Sequence, residues 1–311
     1  HLEKTFGVHY AIGGVVSIAK AMARVISEQG NSIRLNSTVE RILVSAGKAT
    51  GVQLSTEECI SADIVISNAD SGYTYSQLLK NHNKKRWSDK KINRQKWSMG
   101  LFVWYFGTKN TRHLWGDVDF HTVVNGPRYK GLVEDIFVNG VLSNDMSLYL
   151  HRPSVADPTA APKGGDTFYA LSPVPHLGFK HSIDWHKEAE PYRRKVQETL
   201  EKELLPGLGE KLTESHVMTP LDFKERYLSP FGSGFSMEPL MFQSAWFRPH
   251  NVSEEFSGLY LVGAGTHPGP GVPGVIASAE ILSKLVPDAK IAQKEENADI
   301  LNDMETENAR V

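Results

Sequence analysis

Gly258-Leu-Tyr-Leu-Val-Gly-Ala-Gly265 runs directly into Thr266-His-Pro-Gly-Pro-Gly-Val-Pro-Gly274, and Val275 to Leu285 follows. The first part is a short apolar strand and the second a Gly/Pro-rich turn. The third has the apolar content of a helix. Strand, turn and helix in that order are the unit of an α/β fold, in which the helix N-terminus points at a ligand. The turn contains a literal G-x-G-x-x-G, Gly269-Pro-Gly-Val-Pro-Gly274. It is not read as a dinucleotide diphosphate loop. Pro270 and Pro273 lack the N–H donors that such a loop supplies, and no strand directly precedes it.

Upstream, Asp63-Ile-Val-Ile-Ser-Asn-Ala-Asp70 carries a continuous apolar run, which predicts a strand buried on both faces of a parallel sheet. Val15, Val16, Ile18, Ala19, Met22, Ala23 and Ile26 recur at helical spacing after Gly13-Gly14, which predicts an amphipathic helix ending near Gly30. Short strands are expected at Ile33 to Leu35, Val39 to Val44 and Gly51 to Leu54, with a turn at Ala46-Gly47-Lys48. The middle of the chain reads differently. Met99 to Phe106, Ser147 to Leu150 and Thr167 to Leu171 are strand-like. Tyr192, Val196, Leu200 and Leu204 mark a helix starting at Pro191 and stopping at Pro206-Gly207. The expected organisation is a discontinuous α/β domain, 11–72 and 241–286, around an α+β domain, 73–240, on a mostly antiparallel sheet. Residues 287–311 hold seven acidic and three basic residues without apolar periodicity, and are expected to form a mobile acidic tail.

Composition narrows the classes. The 311 residues are 40 % hydrophobic and 23 % charged, with a formal charge of -2, so no global pull toward nucleic acid is expected. One cysteine, Cys59, excludes an internal disulfide and any multi-cysteine metal centre. His151, His176, His181 and His186 fit no metal-ligand spacing, so no metal site is expected. No run of 18 apolar residues is present. Residues 80–97 hold eight basic residues and one acid, interleaved with Trp87 and Trp97. That stretch is either a solvated face or a dock for anionic lipid.

The Leu259–Val275 string resembles the C-terminal flavin motif of bacterial-type phytoene desaturases, the carotenoid branch of the flavin amine-oxidase superfamily. Gln243-Ser-Ala-Trp-Phe-Arg-Pro-His-Asn251 resembles the segment before that motif. Asn125-Gly-Pro-Arg-Tyr129, Ser147-Leu-Tyr-Leu-His151, Ser172-Pro-Val-Pro-His-Leu-Gly178 and Ser67-Asn-Ala-Asp70 add further matches, in order, to about residue 286. The resemblance implies an amine-oxidase-type FAD domain with a substrate domain. It implies FAD-dependent desaturation of an acyclic hydrocarbon such as phytoene toward lycopene, by hydride transfer to flavin N5 with loss of a proton from the adjacent carbon. Family members begin with a strand and a true diphosphate loop that have no counterpart in this sequence, so the chain is expected to be a fragment whose FAD domain is incomplete.

By resemblance, Val39 lies where the family's backbone meets the adenine. Gly263, Ala264 and Gly265, with Val272, Pro273, Gly274 and Val275, would lie against the ribityl chain and the isoalloxazine. His267, Arg248 and His250 are considered, and no catalytic side chain is assigned, because the flavin carries the chemistry. The substrate has no polar handle, so an apolar tunnel is expected, lined by Phe102, Trp104 and Phe106 or by the alternate Leu101, Val103 and Tyr105. Implied partners are the carotenoid and a peripheral membrane surface on the cytoplasmic side. The electron acceptor, oxygen or a quinone, stays open. Other superfamily activities (carotenoid isomerase, ketolase, amine oxidase) and a non-catalytic lipid-binding fragment are the alternatives.

Overall fold

The structure, a computed structural model, describes residues 2–287; the expected acidic tail, apart from Pro287, lies outside them. The strands in chain order are β1 (Val39–Ser45), β2 (Lys48–Leu54), β3 (Cys59–Ser61), β4 (Val65–Ser67), β5 (Gly100–Thr108), β6 (His121–Val124), β7 (Leu148–His151), β8 (Asp166–Val174), β9 (Leu212–Met218) and β10 (Leu259–Leu261). The α-helices are α1 (Leu2–Phe6), α2 (Val15–Glu28), α3 (Ser71–Tyr73), α4 (Asp89–Arg94), α5 (Tyr129–Glu134), α6 (Trp185–Glu203), α7 (Leu208–Lys211), α8 (Pro220–Arg226) and α9 (Val272–Ser283).

Three sheets result. β1, β2 and β3 form an antiparallel meander. Its first turn is the two-residue Ala46-Gly47, both at positive φ, between the paired Ser45 and Lys48. That backbone matches the twist of the flanking strands. Ile33 to Leu35 does not join the sheet and stays exposed. β4 and β10 pair in parallel, Leu259 opposite Val65 and Leu261 opposite Ser67, nearly 200 residues apart in sequence. Val65 and Ser67 are buried, but Ile66 between them is 50 % exposed. The expectation of a strand covered on both faces is therefore corrected: in this chain one face of β4 is open.

The third sheet has the order β6-β7-β8-β5-β9, with every pairing antiparallel. Alternation along β5 sends Phe102, Trp104 and Phe106 to the face covered by α6, where they pack with Phe168, Trp185, Tyr192, Val196 and Leu200. Phe102 meets Tyr192 edge-on at 4.9 Å between ring centroids. Each such side chain contributes about 1.5–3 kcal/mol by leaving water. Pro191 does not open α6 but sits inside it, on the exposed face. The helix starts earlier because Trp185 is buried against Phe102 and Tyr192, and the Asp184 carbonyl takes the first amides, of Lys187 and Glu188. Tertiary packing of one tryptophan outweighs the local proline signal.

A second core joins Ile42, Ala49, Val65, Leu259 and Leu261 to Tyr75, Leu79, Trp87, Ile92 and Trp97. Residues 73–97 thus pack on the β1-β2-β3 meander before the chain enters β5. Trp87 is 2 % and Trp97 4 % exposed. Neither can anchor at a bilayer interface, which removes the aromatic half of the lipid dock expected at 80–97. Its backbone is also tied down: the Lys85, Arg86 and Trp87 amides all donate to the Glu255 carboxylate. Lys84 is buried and pairs with Asp89.

Candidate flavin site

The strand–turn–helix unit forms as the sequence indicates, with the helix beginning at Val272 rather than Val275. The turn between them is held by side chains, each taking a main-chain carbonyl. Asn251 Nδ2 donates to Leu261 O at 3.2 Å and Asn68 Nδ2 to Val262 O at 3.4 Å. Arg248 Nη1 donates to Ala264 O at 2.8 Å, and Ser71 Oγ to Gly265 O at 2.6 Å. Asn251 also donates to Ser278 Oγ of α9 at 2.9 Å, which ties helix to strand. None of Asn68, Ser71 or Asn251 was singled out as a site residue from sequence. Asn68 and Asn251 lie in the strings Ser67–Asp70 and Gln243–Asn251, read there only as family matches, and Ser71 directly follows the first of them.

Asp70 and Arg248 lie beneath the turn. The Asp70 carboxylate accepts the Gly72 amide at 2.7 Å, capping α3. Burial pushes this carboxyl up, against the hydrogen bond and the Arg248 charge. Burial likewise lowers the Arg248 guanidinium below its ordinary value, opposed by Asp70.

The glycines of the turn have two different reasons. A Cβ at Gly265 would stand 2.8 Å from both Ser71 N and Ser71 Oγ, and one at Gly274 would stand 2.6 Å from Gly269 O. At both positions the protein itself fills the space beside the glycine. Gly271, the residue before α9, is the opposite case. Nothing lies within 4 Å of the Cβ position, and its φ of 98° is in the region that favours glycine.

The segment also carries polar groups without partners. Among the described residues, the buried Thr266 Oγ1 and His267 Nδ1 have no hydrogen-bond partner. In the first turn of α9, Pro273 has no N–H and the Val275 amide bonds to Gly271 O, while those of Val272 and Gly274 find no acceptor among the described residues. A helix N-terminus with free amides favours partial negative charge. Such groups suit the carbonyl edge of a flavin ring, so these residues fit that group.

Val39 begins β1, an edge strand, which leaves alternate backbone groups facing away from β2. It lines a cleft of about 440 Å³ with Ile66, Ser67 and Asn68. Asn68 also closes on Gly263, whose Cβ would stand 2.6 Å from its Nδ2. Asn68 therefore links the cleft at Val39 to the Gly263–Gly265 turn. On the other side of the turn, Ser98, Met99, Phe137, Phe235, Glu238, Pro239, Leu240 and Pro270 line a mainly apolar cleft of about 280 Å³. Leu240, Met241, Phe242, Trp246 and Phe247 are exposed beside it, and the Trp246 ring lies 6.1 Å from that of His267.

A parallel strand pair feeding a glycine-rich turn and a helix, set beside an antiparallel sheet, is an α/β fold of the kind FAD-dependent oxidoreductases have. The chain belongs to the flavin containing amine oxidoreductase family, which matches residues 1–286. It is 62% identical over 294 residues to the neurosporene-forming phytoene desaturase of Cereibacter sphaeroides, covering 94% of this chain and 57% of that protein. It is 39% identical over 285 residues to the lycopene-forming phytoene desaturase of Pantoea ananas, covering 92% of this chain and 57% of that protein. The chain thus spans somewhat over half the length of these curated relatives. Among solved structures, an oxidoreductase from Methanosarcina mazei shares the fold with a TM-score of 0.59 at 21% identity, over 88% of this chain and 55% of that one.

Proposed function

We propose that the polypeptide carrying this sequence is an FAD-dependent desaturase of acyclic carotenoid precursors, acting on phytoene toward lycopene. The 62% identity to a phytoene desaturase across nearly the whole chain carries this reading. The apolar cleft against the glycine-rich turn supports it, because a hydrocarbon can be held only by apolar contact and exclusion of water. Val39, Gly263, Ala264, Gly265, Val272, Pro273, Gly274 and Val275 are the proposed cofactor-binding residues. Gly265 and Gly274 contribute backbone held in place by their own close packing. FAD bound there supplies the two-electron acceptor for removal of hydrogen. With FAD bound, the free amides of α9 would stabilise negative charge on it, and Met99, Phe137, Phe235, Leu240 and Pro270 would keep water from the substrate.

Of the two residue sets expected to line a substrate tunnel, Phe102, Trp104 and Phe106 are excluded, since α6 covers them. Leu101, Val103 and Tyr105 face the opposite side, Leu101 and Val103 against Met218 and Tyr105 40 % exposed. That face is the proposed continuation of the apolar path. No helix among the described residues is long and apolar enough to cross a membrane. Peripheral association with the cytoplasmic surface of a bilayer is proposed, through the exposed apolar segment Leu240–Phe247.

The test is conversion of phytoene in vesicles by the full polypeptide with FAD, followed by the appearance of longer-wavelength carotenoid bands. Amine consumption with no change in the carotenoid would overturn the reading in favour of an amine oxidase.

A further inference from the structure

Arg248 is 2 % exposed, and a buried cation normally lies against a carboxylate. Here it does not. Its guanidinium donates instead to two main-chain carbonyls, Ala264 O through Nη1 and Met237 O through Nη2, each at 2.8 Å. Gly269 lies over the same side chain, its Cβ position 3.5 Å from Arg248 Nε. One planar fork thus supports both limbs of the glycine-rich turn and ties them to the segment at Met237, which bridges to Trp97.

The peptide joining Ala264 to Gly265 is planar and trans, so its N–H points opposite to its C=O. With the carbonyl fixed on Arg248, the Gly265 amide faces away from the guanidinium. It finds no acceptor among the described residues. The Thr266 amide, by contrast, is used internally on Gly263 O at 3.1 Å. We infer that Arg248 is a positioning residue for the flavin: it aims the Gly265 amide at the cofactor by gripping the Ala264 carbonyl, and places a fixed positive charge behind the turn. This rests on the flavin reading above and adds a residue that touches the turn, not the cofactor. A buried positive charge behind an N–H donor favours the form of a ligand that carries more negative charge, which for a flavin is the reduced form.

The test compares Arg248→Lys and Arg248→Met with Val272→Trp in the full polypeptide. FAD affinity is measured by quenching of flavin fluorescence, and folding is measured without flavin by circular dichroism and thermal melting. The visible spectrum and midpoint potential of bound flavin complete the set. Val272 is exposed at the start of α9, so tryptophan there obstructs the proposed site without disturbing the core. We expect Arg248→Met to weaken FAD binding by about tenfold or more, the worth of one charge-assisted hydrogen bond. The remaining bound flavin should show a shifted spectrum and a more negative midpoint potential. Arg248→Lys keeps the charge but cannot span both carbonyls. It should also weaken binding while holding the potential nearer that of the unsubstituted protein, and it carries the test if Arg248→Met does not fold. A loss of FAD binding only in proportion to lost folding, with unchanged spectrum and potential, would overturn the positioning role. If Val272→Trp binds FAD as tightly as the unsubstituted protein, the flavin site itself is wrongly located. If Val272→Trp weakens binding and neither Arg248 variant does, the site stands and the Arg248 inference fails.

Discussion

Gly265→Ala separates two reasons for a glycine in the glycine-rich turn. The added Cβ would lie 2.8 Å from Ser71 N and Ser71 Oγ and 3.0 Å from Asp70 Oδ2. Reaching ordinary contact, which begins near 3.4 Å, requires the turn and the start of α3 to separate by about 0.6 Å. The hydroxyl could rotate away, but the Ser71 amide is main chain and cannot. Separation also stretches the 2.6 Å bond from Ser71 Oγ to Gly265 O, in a place where both residues are buried. Overpacking of this kind costs about 1–3 kcal/mol, and a buried carbonyl left without its donor costs about 1–3 kcal/mol. One displacement serves both, so the expected loss is about 2–4 kcal/mol. It should appear as a lower urea midpoint without any flavin present. Gly265→Ala combined with Ser71→Gly should recover only part of it, since the backbone contact stays. A variant with an unchanged midpoint and abolished flavin binding would refute this reasoning and restore the cofactor as the reason for the glycine.

Three further outcomes follow from the same structure. Asp166 is buried at the end of β8; burial raises its carboxyl, but hydrogen bonds from Arg152, Ser154 and Thr111 outweigh this and hold it below its ordinary value. Its contribution is therefore present above the unfolded value near 4 and is lost as pH falls through the lower folded one; Asp166→Asn should cost about 3–5 kcal/mol at neutral pH and flatten the acid limb of a stability–pH curve. Trp87→Ala should cost about 3–5 kcal/mol in denaturant unfolding, because the ring stacks on Tyr75 in the core; a stable variant with reduced vesicle binding would reinstate the lipid dock at 80–97. Replacing the exposed Met241, Phe242 and Trp246 by Ser should reduce co-sedimentation with vesicles at unchanged melting temperature, and equal co-sedimentation would remove that segment as the membrane contact.

What could be read from sequence depended on whether a signal was local. The strand–turn–helix at 258–285 and the period of Tyr192, Val196 and Leu200 are local, and they stand in the structure with shifted ends. The alternation of β5 showed two faces but not their partners; only the docking of α6 decides that Phe102, Trp104 and Phe106 are core. Trp87 and Trp97 looked interfacial because basic residues surround them. Their burial depends on Tyr75, Met237 and Leu259, which lie up to about 170 residues away. The clamp on the glycine-rich turn was invisible for the same reason. Asn68 and Ser71 reach carbonyls 194 residues along the chain, and no spacing rule connects them.

The helix Val15–Glu28 shows what an uncovered face means over time. Val15, Val16, Ile18, Met22, Val25 and Ile26 form its apolar stripe, all are exposed, and the helix buries no residue. A helix of this length draws little stability from its own hydrogen bonds in water, since isolated helices below about 12–15 residues are marginal. Its amides should therefore exchange with solvent deuterium through local opening. Those of Val103 to Phe106, in a stretch of β5 paired on both sides, should wait for global unfolding. A surface that closes over the stripe would convert the fast amides of α2 into slow ones, so their exchange rate is a direct clock for whether that face has found its cover.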